Sequence, residues 1–323
     1  MTSPERDRAR GCLRGLACGD ALGRPVEFKT SEQIERSHGT VTEMLAYGTH
    51  GRPAGTITDD TDLALCVAES LVASDGFDPD DVAARFVDWL DAGPFDIGLM
   101  TRDAIAKLRD GTSPADAGQI VWESRPEGSN AGNGSVMRCA PYAIAFRNDA
   151  AELERVSRAS SAITHADPRC TWGCVVLNHT IGGLLRNDPD PLGAALDAST
   201  DAPTALLSAI ERVHDALDSP AHADALERDL ATTGYVVDTL QTGLYCGLTA
   251  DCAEDAIVDA VNRGGDTDTV GAVTGAIAGA RPDTDSLPER WLDEIDERDR
   301  LDSLAEALLD VGFESADGDG RRE

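Results

Sequence analysis

Apolar residues three and four apart run through almost the whole chain, while the alternation of β-branched residues that a strand needs is hard to find. Aromatic residues, at 4%, are also too sparse for the usual cross-strand pairs. Residues 62–73, 80–90, 96–108, 152–163, 202–217 and 253–261 carry the helical spacing. Pro79, Pro114, Pro168 and Pro288 fall where helices should begin, and Gly93, Gly111 and Gly234 fall in the breaks. Three runs, 170–185, 239–250 and 269–280, hold no charged side chain. Chance alone gives about two such runs at this charge content, but a helix apolar on every side belongs in the middle of a large helical domain. No fixed-period repeat and no Pro/Ser/Gly linker divides the chain. The expectation is all-α: a single large orthogonal helical domain over residues 5–312, followed by a frayed acidic tail at 313–323.

Charge constrains partners more than fold. The 59 acidic residues outweigh 28 basic ones, giving a net charge of -31, and only Lys29 and Lys107 are lysine. An Asp-rich, Lys-poor surface suits concentrated salt, where the Debye length shrinks to ~3 Å and self-repulsion becomes tolerable. Such a surface repels phosphate backbones, so free nucleic acid is not an expected partner. The longest uncharged run has 16 residues and includes Asn178 and His179, too short and polar for a membrane span. The charged start, MTSPERDRAR, does not read as a signal peptide. Eight cysteines without a Cys-x-x-Cys pair read as small buried hydrophobes in a reducing cytoplasm.

Two carboxylate clusters stand out. Thr58-Asp59-Asp60-Thr61-Asp62 runs straight into LALCV, and Gly264-Gly265-Asp266-Thr267-Asp268-Thr269 into VGAVTGAIAGA. The chain holds six Asp-x-Asp triplets, and about five are expected by chance from its composition, so the triplet alone carries no information. Flanking threonines, the Gly-Gly lead-in and the uncharged following helices single out these two. They offer only oxygen ligands, which suits Mg²⁺ or Mn²⁺ rather than zinc. Buried carboxylates at a core helix would repel one another without a cation. The plainer alternative is a pair of N-caps. An EF-hand is excluded, because Val270 and Ile277 stand where ligands are required.

The loop 128–135, GSNAGNGS, leads into Val136-Met137-Arg138. Small residues there let backbone N–H groups approach an anion at a helix start, or simply make a turn. It is not a Walker loop, since no Gly-Lys-[Ser/Thr] follows. His165 sits at an expected helix C-terminus, where it either caps the dipole or contacts a ligand.

Taken in order, six blocks resemble the ADP-ribosylglycohydrolase family: GCLRGLACGDALGRPVEF (11–28), TDDTDLAL (58–65), AGNGSVMRCAPYAI (131–144), THADPRC (164–170), GYVVDTLQTGL (234–244) and VNRGGDTDTVGAVTGAIAGA (261–280). The resemblance implies an all-α fold with two Mg²⁺ or Mn²⁺ ions in a central cleft, held by Thr58, Asp59, Asp60, Asp266, Asp268 and Thr269. It implies a catalytic carboxylate in Glu27 or Asp60, and contacts to ADP-ribose from Asn133, Gly134, Ser135 and His165, with Tyr235 packing near the substrate. Ala131 stands where vertebrate-type members carry an aromatic residue for stacking adenine. The implied reaction is hydrolysis of the glycosidic bond between ADP-ribose and an acceptor, ADP-ribosyl-arginine on a protein being the first choice and small ADP-ribosyl conjugates another. A two-metal phosphoesterase and a non-catalytic ADP-ribose-binding member are the rival readings.

Overall fold

The computed structural model describes residues 3–281 and 287–312; the tail at 313–323 lies outside them. Seventeen α-helices occur among the described residues. The first eight are α1 (Pro4–Gly23), α2 (Ser31–His38), α3 (Asp59–Ser74), α4 (Pro79–Asp91), α5 (Leu99–Arg109), α6 (Pro114–Glu123), α7 (Ala140–Ala145) and α8 (Ala150–Ala162). They are followed by α9 (Pro168–Arg186), α10 (Pro191–Asp197), α11 (Thr204–Asp218), α12 (Pro220–Glu227) and α13 (Val236–Thr249). The last four are α14 (Ala253–Asn262), α15 (Thr267–Ala280), α16 (Glu289–Leu292) and α17 (Arg298–Leu308). The described residues contain no β-strand, only isolated bridges such as Gly132 with Tyr235 and Thr30 with Gly264. None of the helices is long and apolar enough to cross a membrane.

Local chemistry sets the helix ends. Pro79, Pro114 and Pro168 open α4, α6 and α9, where a missing N–H costs nothing. Pro288 stands one residue earlier than expected, as the N-cap of α16. The helix expected over 96–108 begins only at Leu99, because Gly98 is extended and its amide donates to Asp59. That loss of one turn leaves Asp96 on a loop that faces the site.

The three charge-free runs become α9, most of α13 and α15. In α15 every residue but Gly279 is buried. Its closest neighbour is α1, running antiparallel to it. Glycines four apart on one face, Gly11, Gly15 and Gly19, meet Gly279, Gly275 and Gly271 in turn, and Gly23 meets Thr267. A methyl on Gly15 would sit 2.0 Å from the Gly275 carbonyl oxygen, so the two backbones touch with no side chain between them. The C-terminus of α1 and the N-terminus of α15 are thereby fixed together, and the candidate site lies at that end.

Candidate active site

Asp20, near the end of α1, is fully buried and ties that helix to the start of α3. Its carboxylate accepts from the Thr58 amide at 3.0 Å, the Thr61 amide at 3.2 Å and the Thr61 hydroxyl at 2.5 Å. Burial lifts its pKa to about 7 against the pull of these bonds. Thr58, the N-cap of α3, is also buried, and its hydroxyl lies 3.1 Å from Asp60 Oδ2. The Thr269 hydroxyl reaches the same Asp60 oxygen from α15 at 3.5 Å, across 209 residues of sequence. The other Asp60 oxygen, Oδ1, is buried with no partner. The two sequence clusters therefore meet, each on the first turn of its helix, with a carboxylate oxygen left unsatisfied between them.

Glu27 follows a 3-10 turn at Arg24–Val26 and joins these groups as a further buried carboxyl. Ligand atoms of Glu27, His50, Asp96 and Asp268 lie within 4.8 Å of one another. This group shares only Asp268 with the six ligands expected from sequence. Physical strain explains why: burial and then the neighbouring Asp96, Asp266 and Asp59 push Glu27 up to about 9. Burial and Asp96 raise Asp59 to about 8, and burial lifts Asp60 and Asp268 well above the usual range. So many neighbouring buried carboxyls cannot all ionise together without a cation between them.

A stability prediction follows from the sign of these shifts. Carboxyls raised in the folded state favour folding below their unfolded pKa of about 4 and lose that contribution as pH climbs through the folded values. In EDTA, the melting temperature should therefore fall by about 5 °C or more between pH 5 and pH 8.5. Saturating Mg²⁺ or Mn²⁺ should flatten the slope, read by scanning calorimetry. Parallel curves with and without cation would remove the electrostatic case for a metal centre.

A cavity of about 480 Å³ opens over these groups, lined by Glu27, Asp59, Asp60, Asp96, Asp266, Asp268 and Thr269 on one side. The loop at 132–134 and His165 form the other side. The Asn133 amide donates to Asp266 at 2.8 Å and to the Thr239 hydroxyl at 3.0 Å, so it orders a carboxylate of the cluster. Ser135 does not line this cavity; it is buried and accepts from the Ser161 hydroxyl at 2.9 Å behind the loop. Tyr235 lies instead on an adjoining recess of about 270 Å³, with Ala131, Ser129 and Thr233. The recess and the main cavity share Met100, Gly132 and Gly234 as walls.

The expected helix start after the loop is absent. Residues 134–138 are turn, and α7 begins only at Ala140, so the loop does not open directly into a helix. Order comes from Arg138, a fully buried guanidinium that donates to the Gly134 carbonyl at 2.6 Å and to the Thr164 hydroxyl at 2.7 Å. Thr164 Oγ1 lies 2.8 Å from His165 Nδ1. Anchored by Arg138, the Thr164 hydroxyl still has its proton to give to Nδ1; in that tautomer the ring proton sits on Nε2, beside Gly132 and Gly134. Burial, then the charges of Arg138 and Arg125, lower the His165 pKa to about 3. A neutral imidazole cannot cap a dipole as a cation, which overturns that reading and leaves an N–H donor at the cavity wall.

Asp96 and His50 escaped the sequence reading altogether. His50 lies in a short 3-10 turn that no periodicity marks, and Asp96 stood at the start of the helix expected over 96–108, where it reads as an ordinary first-turn acid. Asp20 stood inside a quoted block without a role. Phe28 carries a signal visible only in three dimensions: a ring 72% exposed at the cavity edge, on a backbone with φ of 62°. An exposed aromatic in the left-handed region is uncommon and marks a locally constrained position.

Similarity to known proteins agrees with this architecture. The sequence profile described as ADP-ribosylglycohydrolase matches residues 1–317. An ADP-ribosyl-[dinitrogen reductase] glycohydrolase of Rhodospirillum rubrum is 34% identical, with 92% of this chain and 93% of that protein covered. An ADP-ribosylarginine hydrolase of Serratia proteamaculans is 31% identical, covering 95% and 80%. A solved structure titled ADP-ribosylglycohydrolase-related protein complex superposes with a TM-score of 0.77 at 32% identity, covering 96% and 99%. With a profile match over nearly its full length and relatives above 30% identity aligned end to end, the chain belongs to the ADP-ribosylglycohydrolase family.

Proposed function

We propose that the protein hydrolyses the bond between ADP-ribose and an arginine side chain of a protein, using two divalent cations. The observation that carries this reading is the meeting of the α3 and α15 first turns on Asp60, with one carboxylate oxygen unsatisfied, beside the loop at 132–134. Thr58, Asp59 and Asp60 from one helix start, and Asp266, Asp268 and Thr269 from the other, would hold Mg²⁺ or Mn²⁺; their all-oxygen donor set fits hard cations. Bound there, the ions supply charge neutralisation, a hold on ribose hydroxyls and a lowered pKa for water.

The chain's own residues do the rest. Glu27 lines the cavity outside that ligand set; ionised once cations offset the neighbouring carboxylates, it would take a proton from the attacking water as the C1′–N bond breaks and pass it to the leaving guanidine. Asp60, gripped by two threonine hydroxyls, is the second catalytic carboxylate and fixes the geometry between the clusters. His165 Nε2–H and the backbone around Gly134 face the diphosphate, with Ser135 bracing the loop through Ser161. Tyr235 and the recess beside Ala131 receive the adenosine end. Asp96 and the exposed Phe28 ring at the mouth suit a guanidinium, by charge and by its affinity for an aromatic face. Two relatives carry names that specify arginine or an ADP-ribosylated protein.

The test is incubation of an ADP-ribosyl-arginine protein with the cation-loaded enzyme in molar KCl, matching its acid surface. Intact ADP-ribose should be released, and EDTA should stop it. Release of AMP would make it a phosphoesterase, and no product would make it a non-catalytic member. Titration calorimetry should show ADP-ribose binding that EDTA weakens by at least about tenfold; binding indifferent to EDTA would separate the cations from the nucleotide.

A further inference from the structure

Around Glu27 a second layer of contacts is built by a segment that touches no part of the cavity. Arg24 is fully buried and spends its guanidinium on four carbonyls of the loop that follows: Thr56 at 2.9 Å, Pro53 at 2.8 Å, Tyr47 at 3.1 Å and Leu45 at 3.4 Å. The loop is thus folded back over the 3-10 turn that precedes Glu27. The turn at 47–50 then clasps that segment directly. The Thr49 hydroxyl donates to the Glu27 carbonyl at 2.9 Å, and Gly48 lies so close to Pro25 that a Cβ would sit 2.3 Å from the Pro25 oxygen. His50 comes next, with Nε2 in a short hydrogen bond to Glu27 Oε2 and 3.7 Å from Asp96 Oδ2. Its ring is held edge-on against Phe95, centroids 5.6 Å apart, and Phe95 in turn carries the Arg52 guanidinium at 4.4 Å.

Glu27 and Asp96 line the cavity, and His50 does not. The imidazole stands behind the two carboxylates, in contact with both. A carboxylate asked to take a proton must be aimed, and a misplacement of about 1 Å can cost a hundredfold in rate. The backbone of the preceding turn orients Glu27 only as far as its Cα; the long side chain needs a partner to choose one rotamer.

We propose that His50 is the positioning residue for Glu27, holding its carboxyl toward the cavity from a turn that the buried Arg24 guanidinium folds into place. The proposal rests on the hydrolase reading above for its kinetic test, and on geometry alone for its structural one.

The experiment compares His50→Ala, His50→Gln and Glu27→Gln, singly and combined, in the cation-loaded full-length protein. His50→Ala should lower kcat for ADP-ribose release by about 10- to 100-fold, with KM changed by less than about threefold. His50→Gln, whose amide can donate from a similar place, should recover most of the loss. His50→Ala added to Glu27→Gln should cost nothing further, as expected for two residues that act as one unit. Unchanged kcat in His50→Ala, or a full additional loss on the Glu27→Gln background, would overturn the proposal. If the wild type releases no ADP-ribose, the hydrolase reading has failed and the crystal structure of His50→Ala decides the positioning claim by itself. There the Glu27 side chain should leave its place beside Asp96 and Asp268; finding it unmoved would overturn the assignment.

Discussion

Replacing Asp268 by alanine should lower ADP-ribose release by at least about a thousandfold while the protein stays folded. Asp268 is the one residue common to the ligands expected from sequence and the group of Glu27, His50, Asp96 and Asp268, whose ligand atoms lie within 4.8 Å of one another. It is 2% exposed on the first turn of α15, its Oδ1 accepts from the Thr269 amide at 2.9 Å, and its carboxylate lies within 4.8 Å of a Glu27 oxygen. On the proposed reading, losing it removes a cation ligand beside the catalytic carboxylate, where effects of this size are ordinary. The apo fold should survive, because deleting one of several mutually repelling buried carboxyls relieves strain. Measured in EDTA, the melting temperature of Asp268→Ala should equal or exceed that of the wild type. Asp59→Ala, on the facing helix start, should abolish turnover in the same way. Activity within tenfold of wild type in either variant would sink the metal assignment.

The second large effect is on folding. A Gly275→Val substitution should abolish the native structure or cost more than about 3 kcal/mol, at or beyond the upper end of overpacking penalties. Even a Cβ at this position would lie 1.9 Å from the Gly15 carbonyl oxygen, and the obstructing atom is backbone, which cannot rotate away. The control is Gly39→Ala, where nothing lies within 4 Å of the added methyl; because Gly39 has φ of 66°, only a modest strain cost is expected there. Urea denaturation followed by circular dichroism separates the two. If Gly275→Val unfolds with a midpoint near wild type, the backbone contact between α1 and α15 is not what holds the site's end together. Because Asp20 and Asp268 ride on these two helices, a partly tolerated variant should lose cation affinity before it loses helicity.

The helical class was legible because its cause is local. Apolar spacing marks each amphipathic helix, prolines mark first turns, and charge-free runs mark α9, α13 and α15, which have no solvent face. The boundaries that moved were set by distant partners: Gly98 gave its amide to Asp59, and α5 started three residues late. The glycine spacing at Gly11, Gly15, Gly19 and Gly23 was also on view in the sequence, together with Gly271, Gly275 and Gly279. Nothing in either stretch says that the other is its partner.

By itself the sequence determined the all-α class and the two Asp/Thr clusters at helix starts, since a carboxylate beside an apolar helix is a statement about neighbours in the chain. Only the tertiary structure decided that Thr269 and Thr58 share the Asp60 carboxylate, and that Ser135 turns away to Ser161. It alone decided that His165 is neutral and that Asp96 and His50 join Glu27. Those contacts link helix starts, loops and turns brought together from distant parts of the chain, and no periodicity encodes them. They exist because burial forces each polar group to find a partner, and which partner lies within reach is fixed by helix packing rather than by adjacent residues.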